Sequence, residues 1–165
     1  MSFKLTSGAF HNEGTIPDRH SKQGGNISPP LSWTGMPEGT ASLALIVDDP
    51  DAPSGVFVHW LVYGIPPETS VLPEHMLPTQ HSRKGPRQGL NGFGSLGYAG
   101  PQPPSGKHRY VFHLYALDTD TDMPAGLSRQ ELAGAIEGHI IEEAQLMGLY
   151  QHRSGTPVAH RKAPA

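Results

Sequence analysis

The chain has 165 residues, of which 36% are apolar and only 16% charged, with 20 glycines, 17 prolines and no cysteine. That length points to one domain with a real core, and the composition excludes a helical bundle, disulfides and thiolate metal sites. A net charge of −3 with neutral histidines argues against a nucleic-acid partner held through its phosphates.

Phe3 and Leu5 alternate with polar residues, as a short first strand would. The start of the chain lacks the apolar stretch of a secretory signal, and no apolar run reaches membrane-spanning length. A cytoplasmic protein without stable membrane insertion is therefore expected. Residues 11–30 read as irregular, rich in Gly, Asn, Ser and Pro. The pair Pro29-Pro30 excludes helix and fixes an extended path into Leu31 and Trp33, a strand pair with Trp33 in the core. Met36 to Thr40 is a turn.

Ser42 to Val47 is a strand with apolar side chains on both faces, which marks it as central and two-sided. It runs into Asp48-Asp49-Pro50-Asp51-Ala52-Pro53, a bend too polar for the core and too constrained for a floppy loop. A cis Ala52–Pro53 bond is expected there. The next strand, Val56 to Ile65, alternates Val56, Val58, Trp60 and Val62 against Phe57, His59, Leu61 and Tyr63, so His59 should point where Phe57 and Leu61 point.

Residues 66–98 read as a long loop. The basic run His81 to Arg87 within it reads as a solvated surface. A second rigid bend, Gly97 to Lys107, leads into a strand from His108 to Leu117. His108, Tyr110, Phe112, Leu114 and Ala116 share one face of it, and Arg109, Val111, His113, Tyr115 and Leu117 the other. Ser128 and Glu131 form a capping box that opens a helix, and Gly138 ends it. Residues 140–150 fit either helix or strand. One domain over residues 1–155 and a flexible tail over 156–165 are expected, mainly β with one or two short C-terminal helices.

Each polar residue among Asp49, Asp51, His59, His108 and Tyr110 sits where an apolar strand meets a stiff bend. If the two strands are sheet neighbours, two imidazoles and a phenol converge. A carboxylate beside one imidazole fixes its tautomer and raises its pKa, so that the partly charged ring offers N–H to an oxyanion. Tyr110 adds an O–H donor, and backbone N–H groups of the Gly100 turn add more. Taken singly, a buried histidine usually just satisfies a hydrogen bond, and His113 and His139 are read that way. Two His and two Asp are also the raw material of a divalent metal site, but no His-x-His pair or Glu-rich run accompanies them. Ser54 or Ser105 paired with a histidine would make a hydrolase, yet neither lies in a Gly-x-Ser-x-Gly elbow. A purely protein–protein module is the third alternative.

The segments Asp49-Pro50-Asp51-Ala52-Pro53, His59-Trp60 and Gly100 to Tyr110 resemble the phosphatidylethanolamine-binding proteins, also called Raf kinase inhibitor proteins, and the bacterial branch more closely. Ile27 to Trp33, Tyr115 to Asp118 and Glu137 to His139 strengthen the likeness, which spans roughly residues 26–150. It implies a large antiparallel Greek-key sheet packed on a smaller one. It implies a pocket for phosphate or phosphorylated head groups at Asp49, Asp51, His59, Gly100, Pro104, His108 and Tyr110, with no metal or cofactor. It further implies a non-enzymatic binding protein, with kinase or protease inhibition as in some members and homodimers as in bacterial ones. A phosphoester hydrolase using the same pocket is the alternative. Three positions depart from the pattern: Gln102 where bacterial members often carry cysteine, Gly64 where many carry asparagine, and Phe57 where animal members carry tryptophan.

Overall fold

The computed structural model describes residues 2–78, 85–120 and 122–152. The tail expected over 156–165 and positions 81–84 of the basic run lie outside the described residues.

In chain order the strands are β1 (Lys4–Thr6), β2 (Gly14–Thr15), β3 (Leu31–Thr34), β4 (Ser42–Asp49), β5 (Phe57–Ile65), β6 (Val71–Leu72), β7 (Arg87–Gln88), β8 (Lys107–Leu117) and β9 (Ile140–Gln151). They form a small sheet in the order β1-β3-β6 and a large one in the order β2-β9-β8-β4-β5-β7. Pairing is antiparallel throughout except for the short parallel contact of β2 with β9. The mainly β, two-sheet architecture is thus the expected one.

Every residue of β4 is buried. The reason is visible in the layers. Leu43, Leu45 and Val47 point into a core shared with Leu5, Leu31 and Trp33 of the small sheet. Ala44 and Ile46 point the other way, into a second core closed by Leu132 and Ile136 of a helix, α1 (Arg129–Ile136). A strand paired on both edges and covered on both faces stays apolar from Leu43 to Val47 and turns polar as it leaves the layers at Asp48 and Asp49. The helix starts at the expected capping box: Glu131 N–H donates to Ser128 Oγ at 3.1 Å and Ser128 N–H to Glu131 Oε1 at 2.9 Å.

Four expectations need correction or resolution. One short α-helix is present among the described residues, and 140–151 is strand, the full-length partner of β8. No peptide bond among the described residues is cis, so Ala52–Pro53 is trans. The long loop over 66–98 contributes β6 and β7, short strands that finish the edges of both sheets. The simple alternation along β5 also fails. Val47 pairs with Trp60 but Asp48 with Val58, so β5 carries an extra residue at His59. A second shift holds Gly64, whose φ of 65° suits glycine.

Candidate functional site

The site forms where β4 runs out. His59 of β5 and His108 of β8 are not on neighbouring strands, because β4 lies between them. The rings meet across its end. The extra residue in β5 is what makes this work. Leu61 and Tyr63 stay on the helix side with Val58, while His59 turns to the inter-sheet side, beside Phe57 and against Tyr110. A bulge re-aiming a side chain next to a site is a usual role for that irregularity. Tyr110 follows the expected face of β8, with Phe112 and Leu114 in the inter-sheet core.

Tyr110 is in contact with both imidazoles. Its ring meets His59 edge-on at 5.1 Å between centroids and stacks with His108 at 6.4 Å. His108 Nδ1 donates to Asp49 Oδ2 at 2.6 Å, the carboxylate–imidazole pair expected from the sequence. Asp49 is fully buried, and its other oxygen accepts from Asp51 N–H at 2.7 Å, which closes the bend. The pairing fixes the His108 tautomer and leaves Nε2 as the ring's other hydrogen-bonding atom.

His59 is held by a different kind of partner. Its Nδ1 donates to the Ala99 carbonyl at 2.6 Å, so in the neutral ring Nε2 is an acceptor. Burial lowers its pKa, and the Ala99 bond and the charges of Asp49 and Asp48 do not make up the difference. His59 is therefore a neutral ring at neutral pH. Burial, aided by the Asp49 charge, raises the Tyr110 pKa and keeps its hydroxyl a donor. His59 Nε2 and Tyr110 Oη are both buried and have no hydrogen-bond partner among the described residues.

Of the remaining residues picked out in the sequence, Asp51 braces the bend. Its two oxygens take the Arg109 backbone N–H at 2.9 Å and the guanidinium at 3.0 and 2.8 Å. That hydrogen-bonded guanidinium lowers the Asp51 pKa to about 2. Gly100 does not present its N–H outward, since it donates to Asn26 Oδ1 at 2.6 Å. Its role is close approach: a Cβ there would lie 2.2 Å from the His20 carbonyl oxygen. Pro104 sits half-buried in the bend before β8. His113 and His139 satisfy local partners, Glu143 at 2.7 Å and Asp118 at 2.8 Å. Among the described residues no group of three His, Asp or Glu is placed to hold a metal ion. No helix there is long and apolar enough to cross a membrane.

Sequence reasoning missed three contributors. Arg109 reads in the sequence only as part of the other face of β8, and nothing in the local pattern pairs it with Asp51. Phe93 packs edge-on against Phe57 at 4.8 Å, and Lys22 lies 3.8 Å above the Phe93 ring. Both come from segments that read as irregular, and nothing in their local pattern points to the site.

Residues 6–151 match the family model described as phosphatidylethanolamine-binding protein. A UPF0098 protein of Methanothermobacter thermautotrophicus is 51% identical over 147 residues, 89% of this chain and 97% of the relative. Among solved structures, a phosphatidylethanolamine-binding protein homologue of Chlamydia trachomatis, CT736, is 42% identical. Its TM-score is 0.84, with 92% of this chain and 99% of that chain covered. Escherichia coli YbcL, described as a member of the mammalian family, is 33% identical with a TM-score of 0.82, covering 93% and 100%. These relatives are archaeal as well as bacterial, so the likeness is not confined to one branch. The chain belongs to the phosphatidylethanolamine-binding protein family.

Proposed function

We propose that this chain binds a small phosphate-like anion, free or as part of a phosphorylated head group, against His59, His108 and Tyr110. One observation carries the reading: two buried polar atoms on touching rings, His59 Nε2 and Tyr110 Oη, have no partner among the described residues. A buried polar atom left unpaired costs about 1–3 kcal/mol, a standing cost that a ligand offering complementary atoms relieves. The two atoms ask for different things. His59 Nε2 accepts and Tyr110 Oη donates. A phosphate group carrying one proton supplies both, a P–OH for the imidazole and P–O oxygens for the phenol.

The proton at the His59 contact comes with the ligand or is taken up by the ring. Either way the complex holds a proton that free components lose as pH rises. The affinity for a simple phosphate monoester should therefore fall, by at least about tenfold, between about pH 5.5 and about pH 8, across its second ionisation near 6. Calorimetric titration of the full chain reads this directly. Replacing His59 by alanine should abolish most of the binding. A flat pH profile together with unweakened binding by His59→Ala would sink the proposal.

A further inference from the structure

The charges around this site are unevenly committed. Asp49 gives one oxygen to His108 and the other to the Asp51 amide. Asp51 gives both oxygens to Arg109. Neither carboxylate is left to meet a cationic group on a ligand.

Lys22 has the opposite character. Its backbone N–H donates to the Pro101 carbonyl at 3.0 Å, so it stands on the segment packed against the Gly100 turn. Its ammonium lies over the face of Phe93, half-buried, and forms no ion pair among the described residues. Phe93 touches Phe57, and Phe57 touches His59 at 5.0 Å, so a continuous row of rings leads from the ammonium to the imidazole. The positive charge of Lys22 is felt at His59, where it opposes protonation. Lys22 and Phe93 also line a cavity of about 270 Å³. Tyr98 and Ala99 line it too, and Ala99 is the residue whose carbonyl holds the His59 ring.

We propose that the natural ligand carries a second acidic group, a carboxylate or a further phosphate, which lies against Lys22 and Phe93, and that phosphorylated amines are disfavoured. This rests on the phosphate reading of the His59–Tyr110–His108 rings. The physical reasons are two. A half-buried cation without a counter-charge attracts an anion and repels an ammonium, more strongly than it would in open water. The aromatic face on which a ligand ammonium would otherwise stack is already covered by Lys22.

The test compares three probes on the full chain by calorimetry: inorganic phosphate, phosphoglycolate and phosphoethanolamine. Phosphoglycolate should bind the wild type about tenfold more tightly than phosphoethanolamine, a single favourable charge contact. In Lys22→Met, which keeps the stem on Phe93, the ratio should fall towards one, and Lys22→Arg should restore it. Phosphoethanolamine binding as well as phosphoglycolate to the wild type would overturn the inference. So would a preference that survives Lys22→Met. The wild-type comparison stands even if the methionine variant misfolds. Failure of inorganic phosphate to bind at all would instead remove the phosphate reading, and this inference with it.

Discussion

At the scale of single residues, Asp49 is the keystone of the site. It is a fully buried carboxylate whose two oxygens hold His108 and the Asp51 amide. Asp49→Ala would leave a buried imidazole and a backbone N–H without acceptors. The expected loss is about 3 kcal/mol, since removing one member of a buried pair strands the other. Urea unfolding measures it; a loss below about 1 kcal/mol would mean that water replaces the carboxylate easily. The histidines divide by environment. His59 and His20 are buried rings whose pKa values are lowered, by desolvation first, despite carbonyl partners at Ala99 and Ile27. The folded state therefore resists protonating them, and their contribution is intact above the ordinary value of 6.5 and lost as pH falls below it. Asp51 adds a loss of the same sign further down, between its ordinary 3.8 and about 2.

At the scale of elements, the outer face of the large sheet carries a charged cluster that links three strands. His113 of β8 reaches Glu143 of β9 at 2.7 Å and Asp48 of β4 at 3.4 Å. Arg129 stands 3.8 Å from Asp48, Gln145 donates to Glu143, and Tyr115 stacks on the His113 ring. Burial works against the His113 charge, but the bonds to Asp48 and Glu143 outweigh it, and its pKa is raised. Burial and the Glu143 charge push Tyr115 up to about 12, so it stays neutral throughout the relevant range. A raised histidine stabilises the fold fully below 6.5, and that contribution disappears as pH rises through the folded value. His113→Gln should therefore cost on the order of 1–2 kcal/mol at about pH 6 and less at about pH 9, read from urea midpoints. An equal cost at both values would show that packing and not charge holds these strands.

At the scale of the whole molecule, the site depends on contacts between segments far apart in sequence. The N-terminal stretch around residues 18–26 is pinned to the second bend and to β9. Tyr98 Oη donates to the His20 carbonyl at 2.7 Å, Gly100 N–H to Asn26 Oδ1, and Tyr150 Oη to Asp18 Oδ1 at 2.7 Å. Gly100 is the point of closest approach. A methyl there would strike backbone, at the His20 carbonyl and the Lys22 amide, and backbone cannot step aside as a side-chain end can. Gly100→Ala should cost about 1–3 kcal/mol and pull Lys22 away from Phe93. Thermal unfolding together with the phosphoglycolate-to-phosphoethanolamine ratio would show both effects. An unchanged melting temperature would mean that the segment docks more loosely than its hydrogen bonds suggest.

The sequence by itself determined the two-sided central strand, the acid–proline bend, the helix cap and the face of β8 that bears His108 and Tyr110. Each is written in local pattern: period-two apolarity, proline geometry, or a serine three residues before a glutamate. It also carried the family likeness, because the bend motifs are long and ordered. Only the tertiary structure decided that β4 separates the two histidine strands and that an extra residue turns His59 away from Leu61. A bulge is a mismatch between two strands and cannot be seen in either one alone. The protonation state of His59 and the place of Lys22 were settled in the same way, since burial and nearness to a distant ring arise only once the chain has closed on itself.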